Sequence, residues 1–152
     1  MGMRSNAYEC QQRSCLIDES LSHTKWDCTY HIVFIPKYRR KILYGENRER
    51  PMRLMKGLLN NMGIEIVEGA MCIDHVHLSL RIPPKYSVAR IMGYLKGKSS
   101  LQLFDNHPEL RRATGKDRTL WARGYYVSTV GLNESVIRNY IRDQEESSQF
   151  NG

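Results

Sequence analysis

Hydrophobic positions along this chain follow two rhythms, one of period two and one near 3.6, and the switches between them outline its elements. The first period-two stretch covers residues 26–35. Trp26, Cys28, Tyr30, Ile32 and Phe34 fall on one face, Thr29, His31, Val33 and Ile35 on the other, and Pro36 closes the strand. Residues 48–62 take the helical rhythm: Met52, Met55, Leu58, Leu59 and Met62 form an apolar stripe, and Asn60, Asn61 and Gly63 stop the helix. Ile64, Ile66, Ala70 and Cys72 predict a second strand, with Gly69 as the candidate bulge. A turn at Ile73-Asp74 leads into a third strand over residues 75–82, ended by Pro83-Pro84.

Ser87 is the predicted N-cap of the next helix, whose apolar side carries Val88, Ile91, Met92, Leu95, Ser99 and residues 101–104. Its polar side carries Arg90, Lys96 and Lys98, and Gly93 and Gly97 allow a close approach to its backbone. Residues 105–118 are polar and read as irregular. Residues 120–130 alternate with aromatics and predict a fourth strand. Gly131 turns the chain, and Asn133 caps a last helix that runs to about residue 148. The order β-α-β-β-α-β-α predicts an α+β, ferredoxin-like (RRM-like) sandwich, one antiparallel sheet backed by helices. Residues 1–22 show no usable period and read as a flexible tail, residues 23–148 as one domain, and residues 149–152 as a short C-terminal tail.

Composition narrows the class. The chain has 152 residues and a hydrophobic fraction of 41%, enough for a real core. Lys and Arg number 23 against 16 acidic residues, a net charge of +7, which suits a polyanionic partner such as nucleic acid. Cys10, Cys15, Cys28 and Cys72 include no CxxC pair, so a zinc ribbon is not expected. The first twenty residues lack the apolar run of a signal peptide, and no stretch reaches the ~20 apolar residues of a membrane span. A cytoplasmic protein with reduced thiols and no membrane partner is the expectation.

The candidate chemistry centres on Asp74-His75-Val76-His77-Leu78. On a strand, His75 and His77 share one face while Val76, Leu78 and Leu80 take the other. Two imidazoles side by side are either part of a metal site or simply two strand histidines. On the last helix Tyr140 and Gln144 stand four residues apart on one face, beside Val136, Ile137 and Ile141. A tyrosine there is either a core residue or a nucleophile, and a glutamine either a surface amide or a neutral oxygen ligand. Two basic patches hold aromatic residues: Lys37-Tyr38-Arg39-Arg40-Lys41, and residues 94–100 with Tyr94, Lys96 and Lys98. Cations beside a stacking ring fit a phosphate backbone and an unpaired base, or are plain solvated surface.

Taken together, these stretches resemble a known family. The segments 26–34, 36–40, 74–78, 92–100, 121–127 and 140–144, in that order, are similar to the small single-tyrosine transposases of the IS200/IS605 insertion-sequence group, within the HUH nuclease superfamily, the IS200 branch above all. The resemblance covers about residues 22–148. It implies that His75 and His77 hold a divalent metal, Mg2+ or Mn2+, with Gln144 completing the protein ligands. It implies that Tyr140 attacks the scissile phosphate and leaves a 5′-phosphotyrosine and a free 3′-hydroxyl, a link that conserves bond energy for rejoining. It further implies single-stranded DNA with subterminal hairpins as the partner. The implied assembly is a homodimer whose active sites join the histidines of one copy to the tyrosine helix of the other. Lys37, Arg39, Arg40, Lys96 and Lys98 are then candidates for backbone contact, and Tyr38 and Tyr94 for base stacking. The competing readings are a non-catalytic or domesticated single-strand-binding protein of the same fold, and a metal-dependent hydrolase that uses water.

Overall fold

In the computed structural model the described residues are 23–37, 49–106 and 120–150. They form β1 (Thr29–Phe34), α1 (Glu49–Asn61), β2 (Glu65–Met71), β3 (Val76–Arg81), α2 (Val88–Asn106), β4 (Tyr126–Ser128) and α3 (Glu134–Phe150). The sheet order is β2-β3-β1-β4, with every neighbouring pair antiparallel. This is the ferredoxin-like α+β arrangement expected from the sequence. Both helix caps form as expected: Ser87 Oγ accepts from the Arg90 amide at 3.1 Å, and Asn133 Oδ1 from the Val136 amide at 2.9 Å.

The pairing of β1 with β3 divides the sheet into two unlike faces. Tyr30, Ile32 and Phe34 stand opposite Leu80, Leu78 and Val76, so one face is a wall of apolar side chains. Met55, Leu58 and Leu59 of α1 and Ile91, Met92, Leu95, Leu103 and Phe104 of α2 close over that wall. Trp121 joins them and meets the Phe34 ring edge-on at 4.8 Å. The other face carries His31, Val33, His77, Ser79 and Arg81, and α3 lies across it. Ile141 is the buried residue of α3 among those described.

Four sequence expectations change here. Trp26 is buried against the guanidinium of Arg81, 4.8 Å from its ring, and lies outside the core cluster of Ile32 and Phe34. The ladder begins only at Thr29, so strict alternation does not reach it. The irregularity of β2 lies between Ile66 and Glu68, leaving Val67 outward, 58% exposed. Gly69 instead pairs regularly with Leu78, and a Cβ there would stand 3.4 Å from Met52 of α1. The predicted fourth strand is broken. Trp121 bridges Pro36, and β4 resumes pairing with β1 at Tyr126. Between them Gly124 takes φ +78°, and the Lys96 ammonium donates to the carbonyls of Ala122 and Gly124 at 2.7 and 2.8 Å, which withdraws them from any ladder. Finally, α3 continues to Phe150, into what reads as a tail. Nothing among the described residues comes within 4 Å of a Cβ built on Gly93 or Gly97.

This division of faces predicts where the fold is sensitive. Leu78→Ala, at a fully buried position of β3, should lower the free energy of unfolding by ~2–5 kcal/mol. Val67→Thr, at the outward residue of β2, should stay within ~0.5 kcal/mol. Urea denaturation of both variants checks the pair.

Candidate active site on the helix-covered face of the sheet

The two histidines of the central motif are brought together. His75 precedes β3, and its carbonyl accepts from the Cys72 amide at 2.9 Å, closing the β2–β3 hairpin. His77 lies inside β3 opposite Val33. Both line a cavity of about 690 Å³ between the hairpin and the first turns of α3. The helix side of that cavity is Glu134, Ile137 and Arg138.

The chemical state of each imidazole follows from its neighbours. His75 Nδ1 lies 2.8 Å from Asp74 Oδ1. A carboxylate only accepts, so Nδ1 carries the proton and Nε2 presents its lone pair. The Asp74 carboxylate also meets Arg138 of α3 at 3.7 Å, and Arg138 meets Glu134 at 3.6 Å, so one polar chain ties the helix to the motif. Burial, with His31 and His75 nearby, holds the His77 imidazole below the usual histidine value, while Glu68 opposes weakly. His77 is therefore a neutral imidazole at neutral pH. Its Nε2 is buried and has no hydrogen-bond partner. Buried nitrogens without partners are uncommon, and in the tautomer protonated at Nδ1 this nitrogen offers a divalent cation its lone pair. His75 and His77 thus fit two ligand positions. Among the described residues no cluster of three His, Cys, Asp or Glu could hold a metal, so these groups alone do not complete a coordination sphere.

Tyr140 is placed by a different contact. Its ring packs on Tyr126 of β4 at 5.8 Å between centroids. Tyr126 pairs with Val33, and Val33 with His77, so β1 separates the two groups. At the usual spacing of neighbouring strands, Tyr126 lies ~10 Å from His77 across the sheet. The Tyr140 hydroxyl is buried without a partner, and burial pushes its pKa up to about 12. Gln144 follows one turn later, half-buried, and does not line the histidine cavity.

The remaining sequence-predicted residues spread more widely. Lys37 is half-buried, and its amide donates to the Leu120 carbonyl at 2.8 Å. Tyr38, Arg39 and Arg40 lie outside the described residues. Lys98 is exposed on α2, and Tyr94 is half-buried against the core. Lys96 is held by two carbonyls, and burial lowers its pKa. It thereby braces the loop after Trp121. These α2 residues belong to the layer on the apolar face of the sheet, opposite the histidine cavity.

Two participants escaped the sequence reading. Asp74, the residue before His75, orients its ring. His31 stands on β1 with its ring 6.1 Å from that of His77. A carboxylate adjoining a histidine was a visible signal for the first. The second needed the register of two strands far apart in sequence.

Comparison with known proteins follows the same lines. Residues 24–144 match the family model for "Transposase IS200 like". The transposase for insertion sequence element IS200 of Salmonella typhimurium is 47% identical over 133 residues, covering 88% of this chain and 87% of that protein. The ISDra2 transposase TnpA of Deinococcus radiodurans is 29% identical over 118 residues, covering 77% and 84%. Among solved structures, a protein of Deinococcus radiodurans R1 assigned as a transposase superposes with a TM-score of 0.71 at 26% identity, covering 80% of this chain and 94% of the other.

The buried phenol gives a prediction with a sign. An unfolded tyrosine titrates near 10.0, and this one near 12. Stability is full below pH 10 and falls as pH rises from 10 to 12, because the unfolded chain releases a proton that the folded chain keeps. Tyr140→Phe should remove that share of the alkaline decline. At pH 7 it should leave stability unchanged or raise it by up to ~1 kcal/mol, since it deletes an unsatisfied buried hydroxyl. Thermal melts from pH 7 to 12 measure both effects.

Proposed function

Because this chain belongs to the IS200-like transposase family, whose members cut and transfer DNA, we propose that it cleaves and rejoins single-stranded DNA by covalent catalysis through Tyr140. The observation that carries this reading is the pair of buried, unpartnered polar atoms, His77 Nε2 and the Tyr140 hydroxyl oxygen, on one face of the sheet. Of the buried side-chain atoms without a hydrogen bond, these two lie among the candidate site residues, where a bound ligand supplies the missing partner.

In this reading the Tyr140 oxygen attacks the scissile phosphorus and forms the tyrosine O–P bond as the bond from phosphorus to the 3′ oxygen breaks. The tyrosine gives up its proton, and the departing 3′ oxygen takes one up and becomes a hydroxyl. Reversal by a 3′-hydroxyl rejoins the strand without an outside energy source. Burial keeps the Tyr140 phenol protonated before the site assembles, so its proton leaves on assembly or as the oxygen attacks. His75 and His77, with the Gln144 amide oxygen, would hold Mg2+ or Mn2+, which supplies Lewis-acid polarisation of the phosphate when bound. Asp74 keeps the His75 lone pair turned toward that site.

Gln144 and Tyr140 stand away from the histidine cavity of their own chain, which favours a site shared between two copies of the chain. Tyr126, Val127 and Val130 are exposed at or beside the edge strand β4 and offer an apolar surface to a second copy. The DNA in this reading carries subterminal hairpins. Lys37, Arg39, Arg40 and Lys98 contact its backbone, Lys96 has one N–H left for the same use, and Tyr38 and Tyr94 stack on unpaired bases. The excess of basic residues supports a polyanionic partner.

A mixing experiment tests the shared site. His77→Ala and Tyr140→Phe should each fail to form a denaturant-resistant adduct with single-stranded element-end DNA in Mn2+. Their equal mixture should restore about a quarter of the wild-type yield, because half the dimers are mixed and each has one intact composite site. No recovery would overturn the shared site. An adduct from Tyr140→Phe alone would overturn the nucleophile, and an adduct formed in excess chelator would overturn the metal requirement.

A further inference from the structure

A third imidazole occupies the same floor as His77. His31 lies on β1 directly opposite Ser79 of β3 and opposite Ser128 of β4. Its partner diagonal across the strands is His77, with ring centroids 6.1 Å apart and planes tilted by 54°. His31 Nδ1 lies 2.9 Å from the Ser79 hydroxyl oxygen, and Ser79 is 3% exposed. The ring is therefore pinned at one nitrogen by a buried group. Its other nitrogen, Nε2, has no hydrogen-bond partner among the described residues.

Position gives that nitrogen a use. His31 stands on β1 beside β3, which carries His77, and its ring shares the face of the sheet that holds the histidine pair. A phosphate held by a cation at the histidine pair, with the attacking tyrosine supplied by a second copy, would lie beside this ring, 6.1 Å from that of His77. Phosphate oxygens only accept hydrogen bonds. A contact with His31 needs the proton on Nε2, and the Ser79 hydroxyl allows this by donating to Nδ1.

We propose that His31 is a further catalytic residue, donating a hydrogen bond from Nε2 to a non-bridging oxygen of the scissile phosphate, and that Ser79 is the positioning residue that fixes its ring. The inference rests on the strand-cleavage reading above. The contact strengthens as charge builds on the phosphate oxygens, so it acts on rate more than on binding.

Two substitutions separate this role from a structural one. His31→Gln places an amide N–H near the position of Nε2 and gives up the Ser79 bond. His31→Asn retains a group near Nδ1 to meet Ser79 and gives up the outer donor. Single-turnover adduct formation is followed with element-end DNA in saturating Mn2+, alongside DNA affinity and melting temperature. The expected result is a rate ~10²-fold below wild type for His31→Asn, with affinity and melting temperature unchanged, and a rate well above that of His31→Asn for His31→Gln. Equal rates for the wild type and both variants would overturn the proposal alone. So would a rate for His31→Gln that falls below that of His31→Asn in step with its melting temperature, the signature of a purely structural Ser79 bond. Absence of any adduct with the wild-type chain would overturn the cleavage reading and this inference together.

Discussion

The antiparallel register of β1 on β3 is the constraint from which the rest of the molecule follows. Ile32 opposite Leu78 and Phe34 opposite Val76 build the apolar wall that two helices cover, and the same pairing sets Val33 beside His77 and His31 beside Ser79. Because side chains alternate along a strand, a slip of one residue would turn the wall toward α3 and the histidines into the core. Burial of Ile32, Phe34, Val76, Leu78 and Leu80 without measurable exposure makes such a slip costly. The polar floor is thus held in place by the hydrophobic face behind it.

That floor is unusual for what it leaves unsatisfied. His77 Nε2 and the Tyr140 hydroxyl are both buried without partners, a cost of about 1–3 kcal/mol for each such group. Other polar groups on the same face are paired, although Trp26 Nε1 and Arg81 Nε are also buried without a hydrogen bond. Asp74 takes the His75 proton, Ser79 holds His31, and Arg81 reaches Glu65, Asp27 and the Trp26 carbonyl. Two of these deficits, at His77 and Tyr140, fall on groups that the proposed chemistry uses. Such local destabilisation is expected where binding of a ligand supplies the missing contacts.

Much of this was legible in the sequence because its signals are local. Alternation marked β1 and β3, the methionine and leucine stripe marked α1, and Ser87 and Asn133 announced their helices through short-range caps. The errors arose where a distant residue overrode local pattern. Lys96, on α2, takes the carbonyls that would have made residues 120–130 one strand. Gly69 reads as a bulge in isolation and is instead a close contact beneath Met52. In the site, the spacing of His75 and His77 was sufficient to place both rings on one cavity. His31 was invisible because its role depends on a register joining residues 48 positions apart. The shared face of Tyr140 and Gln144 was readable from helical spacing, but where that helix docks was not, since docking is decided by Arg138 on Asp74 and by Tyr140 on Tyr126.

The central claim is that the phenol on α3 is the group that joins DNA. Wild-type protein incubated with single-stranded element-end DNA and Mn2+, then digested with protease and nuclease, yields peptides for mass spectrometry. The account predicts a nucleotide-bearing peptide with the modification on Tyr140. A modification on Tyr125 or Tyr126, or cleaved DNA with no covalent peptide, would contradict it.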